Sequence, residues 1–491
     1  MTTAKESGTL GTDELFSQVA ADRALRREQL AQLISYQSLA FPGYDPKQSE
    51  ECAQTVADML RELGFADVEM LDVGGVNPTA WAETRPYKDA PTVLLYAHYD
   101  VQPAPLEQGW DSDPWTMVEC DNRLYGRGAA DDKAGIVQHL SALRALLKCH
   151  AAAGMDSSDS SLDSESGCNG ELDSKDSVHL MDVNSLPFNI KVCFEGEEEY
   201  GDSLPRYIST DPQRFKADVF LVCDGGNLEI GKPLLQTTLR GIAEQTITLR
   251  TLPNALHSGA FGGPAPDAFL ALTKLAQSLY DKDGNTVIEG VKSGDYEGSV
   301  DYSEELFRKQ AEMSDDVQLV GTGSIASRLW ARPAIKVVGV DMAAVETSSN
   351  VVTPEVRARL SLRFPAGQEG ADVLQALQNH LRKHVPWGAE LVFGESVFMN
   401  AFAANAAGGP LTELMKQCLT EAFGQPCSEG GSGGSIPLVE ALQSHNEDAE
   451  FLLFGPIDSE RANMHGANES VCEFELERST KAEALFLSRL I

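Results

Sequence analysis

Two histidines, two aspartates and a glutamate stand in short motifs spread along this chain, each at the end of an apolar run or in a tight glycine turn. They are His98 in Leu94–Asp100, Asp131 in Gly126–Lys133, Glu199 in Phe194–Gly201, Asp224 in Val222–Gly225 and His465 in Met464–Glu469. Imidazole nitrogens and carboxylate oxygens in these proportions suit a pair of borderline divalent ions with one carboxylate shared. A spare carboxylate can then act on metal-bound water. The chemistry this set points to is hydrolysis.

Such groups come together only if the elements carrying them converge. Amphipathic segments over Asp13–Tyr36 and Gln48–Leu63 open the chain, the second stopped by Gly64. Strands are then predicted at Thr92–Ala97, Asn189–Phe194 and Val219–Cys223, with a helix at Ala134–Leu147. Alternation of this kind predicts an α/β fold with a mostly parallel sheet between helices and sites at the carboxyl ends of its strands, where His98 and Asp224 fall. Between Asp156 and Ser185 the composition turns to Ser, Asp and Glu, which predicts a disordered surface loop without a catalytic role.

From about Leu235 the pattern changes to long alternating strands. Gln236–Leu249, Ala334–Val340, Glu355–Phe364 and Ala389–Val397 are read as strands, with helices at Ala265–Tyr280 and Gly370–His384. That is the content of a small antiparallel sheet with two helices, inserted as its own domain over 235–402. The first pattern resumes over 403–491, with helices at Pro410–Phe423 and Glu473–Leu490 and a strand near Phe451–Phe454, so 1–234 and 403–491 together form the other domain.

A chain of 491 residues is too long for one compact core. Its formal net charge of -35 argues against nucleic acid and anionic membrane as partners. Nine cysteines, odd in number and without C-x-x-C spacing, read as reduced thiols rather than a disulfide framework. With no apolar signal segment in Met1–Ser7 and no membrane-length apolar run, the expected location is the cytoplasm.

From about Arg26 onward these motifs resemble, in type and order, the dinuclear metallopeptidase family that includes carnosinase, aminoacylase, carboxypeptidase G and succinyl-diaminopimelate desuccinylase. The long excursion between Tyr280 and Ala334 is most similar to the carnosinase-like dipeptidase branch. The resemblance implies a zinc-peptidase-like catalytic domain with an inserted ferredoxin-like lid or dimerisation domain. It implies two divalent ions per chain, zinc first and manganese or cobalt as alternatives, with Asp131 bridging them through a cis Asp131–Asp132 peptide. His98 and Asp224 would serve one ion, Glu199 and His465 the other, with the Asp100 carboxylate orienting the imidazole or its neighbours. In the acid run Glu197–Glu199 the family pattern selects Glu198 as general base, and Glu197 should point elsewhere. His257, in Leu256–Gly259, would reach across a homodimer to stabilise an oxyanion. Arg363 would grip a substrate carboxylate, and the loop Gly433–Pro437, with Gly434 and Ser435, would close on the same end.

The expected function is therefore a metal-dependent dipeptidase that cleaves short peptides with a free carboxyl end through a metal-bound hydroxide. An N-acyl-amino-acid deacylase is the alternative within the hydrolases, and a non-catalytic binding protein that keeps the fold is the alternative outside them. Asn254-Ala255 before Leu256, the glycine-poor 341–349 run and Gly431-Ser432 before Gly433 depart from the family pattern. These departures leave the preferred dipeptide open, while the complete ligand set favours an active enzyme.

Overall fold

The computed structural model describes residues 11–156, 181–404 and 408–490. The chain forms two units. One comprises Met1–Leu235, Ala407–Ser428 and Ala441–Ile491, and the other Gln236–Ala406 and Glu429–Glu440.

In the first unit the strands Asn189–Glu195, Thr92–His98, Val219–Val222 and Glu450–Leu453 lie side by side in that order, all parallel. Such strands are buried on both faces and read as continuous apolar runs, as Val93 to Ala97 do, each at 0% exposure. Every large apolar side chain so buried contributes about 1.5–3 kcal/mol. Two short strands escape the sequence reading: Thr79–Glu83 pairs antiparallel with Asn189–Glu195, and Val68–Leu71 antiparallel with it at the sheet's edge. Helix Lys133–Asp156 packs on Thr92–His98, and the C-terminal helix Glu473–Ser488 packs on Lys133–Asp156 and Pro410–Phe423. Parallel pairing points the carboxyl ends of four strands the same way, so His98 stands beside Glu195 and Asp224 follows one strand over.

A second, three-stranded sheet joins Val118–Cys120, Arg123–Tyr125 and Ser470–Cys472. Its register sets Ser470 opposite Tyr125, which seats the end of the His465 motif beside the glycine turn that begins at Gly126.

The other unit has the expected ferredoxin-like order. Its sheet runs Ala334–Asp341, Glu355–Phe364, Gly241–Arg250, Glu390–Met399, antiparallel throughout, with helices Ala268–Gln277 and Gly370–His384 packed on it. Glu355–Phe364 alternates strictly: Val356, Ala358, Leu360, Leu362 and Phe364 enter the core, leaving Arg357, Arg359, Ser361 and Arg363 on the opposite face.

Some boundaries differ from the sequence reading. Asp13–Tyr36 is two helices, Thr12–Ala21 and Arg23–Ile34, broken at Asp22, whose carboxylate accepts hydrogen bonds from Ser141 and Arg144. Gln236–Leu249 is two strands, because the chain bends at Arg240 between Leu234–Leu239 and Gly241–Arg250. Segment Glu429–Glu440 groups with the second unit, where Arg240 and Arg363 bind its loop, although the apolar pattern assigned all of 403–491 to the first. Of the loop expected over 156–185, residues 157–180 lie outside the described residues. At its end Asp182 and Ser185 are exposed as expected, while Val183 is buried in the main core. Among the described residues no helix is long and apolar enough to cross a membrane.

Candidate metal centre

His98 is the last residue of its strand and is fully buried. Its Nδ1 lies 3.0 Å from the Asp100 carbonyl oxygen, which makes Nδ1 a donor and turns Nε2 outward from the strand end. There Nε2 meets Asp131 Oδ1 at 3.0 Å. The other Asp131 oxygen, Oδ2, lies 3.0 Å from His465 Nε2, and that nitrogen is 3.3 Å from Glu199 Oε2. Two overlapping groups result, His98–Asp131–Asp224 and Asp131–Glu199–His465, the donor atoms of each within 4.8 Å of one another. Asp131 belongs to both.

The turn that delivers Asp131 is held by chemistry the sequence reading passed over. Gly128 takes φ +80°, a conformation that a side chain would strain, and the Asp131–Asp132 peptide is cis. Glu469, fully buried, accepts the N–H groups of Ala130 and Asp131 at 2.9 and 3.1 Å through Oε1, and Arg127 Nη1 at 2.6 Å through Oε2. Arg127 also donates to the Gly466 carbonyl at 3.1 Å, and so ties the two glycine-bearing turns together. The signal was present, since Glu469 closes the His465 motif and Arg127 lies in the Gly126–Lys133 motif, but only the tertiary structure pairs them.

The Asp100 carboxylate orients neighbours of the imidazole. Its Oδ1 accepts the Glu198 N–H at 3.1 Å and its Oδ2 the Glu199 N–H at 3.0 Å. It therefore sets the glutamate pair as well as the imidazole, and acts by positioning. Glu198 joins neither donor group; its Oε2 stands 4.0 Å from His98 Nε2. Glu197 turns away, accepting the N–H groups of Val76 and Asn77 and the Ser203 hydroxyl. Gln102 Nε2 donates to Glu199 Oε2 at 2.7 Å, a contact the sequence reading missed.

Electrostatics test whether these residues fit a cation. Burial, then Asp131, pushes the Asp224 carboxyl up to about 7, and burial drives Glu198 well above its usual range. Burial also works to raise Asp131, but hydrogen bonds from His465 and His98 pull it below the normal carboxylate range. Hydrogen bonds to Asp131 and Glu199 lift His465 to about 10. Acids crowded in a low-dielectric site repel one another unless positive charge intervenes. The spacing also agrees: donors on adjacent corners of a tetrahedron with bonds of about 2.0–2.2 Å stand roughly 3.3–3.6 Å apart, close to the 3.0 and 3.3 Å seen here. Nitrogen and oxygen donors at these positions suit borderline divalent ions.

The remaining expected residues lie in the second unit. Arg363 Nη1 donates to Ser435 Oγ at 2.7 Å, and the Gly434 carbonyl accepts the Arg240 N–H at 3.1 Å. His257 is exposed in the two-residue strand Leu256–His257, paired with Val351–Val352.

Comparison with known proteins follows the same division. Residues 94–153 match the model for peptidase family M20/M25/M40, and 237–389 that for a peptidase dimerisation domain. The cysteinylglycine-S-conjugate dipeptidase of Corynebacterium striatum is 38% identical over 94% of this chain and 94% of its own. A Cys-Gly metallodipeptidase of Schizosaccharomyces pombe is 28% identical over 87% of this chain and 84% of its own. Among solved structures, human carnosine dipeptidase 1 aligns with a TM-score of 0.77 at 22% identity, covering 98% of each chain.

Proposed function

This chain belongs to peptidase family M20/M25/M40, and on that premise we propose how its residues carry out hydrolysis. It is a metal-dependent dipeptidase. The observation that carries our reading is the sharing of Asp131, one oxygen directed to each histidine. We assign His98 and Asp224 to one divalent ion and Glu199 and His465 to a second, with zinc as the first choice for both. Bound there, such ions supply Lewis acidity, polarising the scissile carbonyl and lowering the pKa of a water.

Every other step falls to the chain's own groups. Glu198, held by Asp100 through its main chain but free at its carboxyl end, takes a proton from the attacking water and passes it to the leaving amine. A base of this kind benefits from a raised pKa, which burial provides. Arg363, with Gly434 and Ser435, binds the free carboxylate of the substrate. His257 donates to the developing oxyanion in the partner copy of a homodimer, a reading supported by the dimerisation-domain match over 237–389. All eight described cysteines are free, which supports a reducing, cytoplasmic setting.

The test is activity of metal-stripped protein restored ion by ion, against dipeptides that include a Cys-Gly S-conjugate and against N-acyl amino acids. Recovery on dipeptides, with Glu198→Gln inactive yet still binding two ions, is expected. Recovery on acyl amino acids alone would replace the dipeptidase by a deacylase. Loss of one ion in the Glu198 variant would make Glu198 a ligand.

A further inference from the structure

Two guanidinium groups in the second unit, Arg240 and Arg363, repel each other, and neither forms an ion pair among the described residues. Arg240 sits at the bend before Gly241, and its main chain anchors the 433–435 loop. Its N–H donates to the Gly434 carbonyl at 3.1 Å, and its own carbonyl accepts the Ser435 hydroxyl. Those bonds need no side chain. The guanidinium itself donates only Nε to the Gly433 carbonyl, at 3.3 Å, while Nη1 is buried with no hydrogen-bond partner. The group packs closely on the loop, where a Cβ at Gly433 would stand 3.1 Å from Nη2.

Burial and then the nearby Arg363 pull the Arg240 guanidinium down to about 10. Burial likewise lowers Arg363, and the acid that opposes this, Glu244, is already held by Arg359. Among the described residues the hydrogen-bond partners of this half-buried cation pair are the neutral Gly433 carbonyl and Ser435 hydroxyl, which leaves it short of negative charge. An arriving carboxylate relieves that shortage, and two guanidiniums offer it more donors than one fork can.

We propose that Arg240 is a second anion ligand beside Arg363, the two side chains sharing the free carboxylate of the substrate's carboxyl-terminal residue. This rests on the assignment of Arg363 to that carboxylate. The consequence is a steep requirement for a free carboxyl end, read as the ratio of kcat/KM on a dipeptide to that on its carboxyl-terminal amide.

The experiment measures this ratio for the parent, Arg240→Met, Arg240→Lys and Arg363→Met, each loaded with metal. Removing one charge-assisted partner should lower the ratio by about tenfold to a hundredfold. The change should fall mainly in KM for the acid, with a smaller effect on the amide. Arg240→Lys, which keeps the charge without the planar fork, should recover part of the loss. A parent-like ratio in Arg240→Met, with the ratio collapsed in Arg363→Met, would overturn the inference while the Arg363 assignment stands. A parent that treats acid and amide alike would overturn both. If Arg240→Met does not fold, the lysine variant decides: an unchanged acid KM together with an unchanged ratio would overturn the proposal.

Discussion

Replacing Asp100 by asparagine isolates positioning from chemistry, because the carboxylate touches neither donor group's shared oxygen yet fixes the main chain of both glutamates. Its two oxygens each accept one N–H, from Glu198 at 3.1 Å and Glu199 at 3.0 Å. Asparagine keeps one acceptor and turns an NH2 toward the other donor. One charge-assisted hydrogen bond disappears, roughly 1.5–3 kcal/mol, and a main-chain donor is left unpaired, about 1–3 kcal/mol. The two overlap, so the expected destabilisation is about 2–4 kcal/mol, or a fall of several degrees in the unfolding midpoint. Rotating the Glu198–Glu199 peptide also misplaces the base, and a shift of about 1 Å costs on the order of a hundredfold in rate. Calorimetry and kcat on Asp100→Asn should therefore move together. Glu198→Gln is the control, since its carboxylate makes no hydrogen bond of its own among the described residues; it should lose turnover with little change in midpoint. An Asp100→Asn protein with the parent's midpoint and the parent's kcat would refute the reasoning.

Two further outcomes bear on the proposed sites. Asp131→Ala should weaken both ions in equilibrium dialysis, whereas His98→Ala should empty mainly one; two tightly held ions in the Asp131 variant would remove its bridging role. Mixing inactive His257→Ala with inactive Glu198→Gln should restore up to about a quarter of parent activity under random exchange, since half the dimers carry one complete site of two. No recovery, with mixed dimers demonstrated by mass spectrometry, would confine His257 to its own chain or to no role.

The buried parallel strands and amphipathic helices were legible because apolar runs and helical periodicity are local properties. Gly370–His384 and Pro410–Phe423 match their sequence-read bounds. Val68–Leu71 and Thr79–Glu83 were not seen: Glu69 interrupts the first and Thr79 and Glu83 flank only three apolar residues in the second, whereas the equally short Val219–Val222 is apolar throughout. At the site, the five candidate ligand residues stood out, but the work of Glu469 and Gln102 did not. A carboxylate that accepts two main-chain N–H groups across 339 and 338 positions leaves no spacing in the sequence to recognise. Arg240 escaped for a related reason: an unpaired guanidinium is defined by the acids absent from its surroundings, and those surroundings exist only after folding.

The order in which the donors occur along the chain has a consequence for synthesis. His98, Asp131 and Asp224, one complete group, emerge from the ribosome while the partner group still lacks His465, which lies roughly 240 residues further on, about 12–48 seconds at typical elongation rates. The clamp on the Asp131 main chain arrives later still, with Glu469. The second donor group is therefore complete only when the chain is almost finished. Glu469, which accepts the two main-chain N–H groups of the Asp131 turn, is synthesised after all five candidate donors.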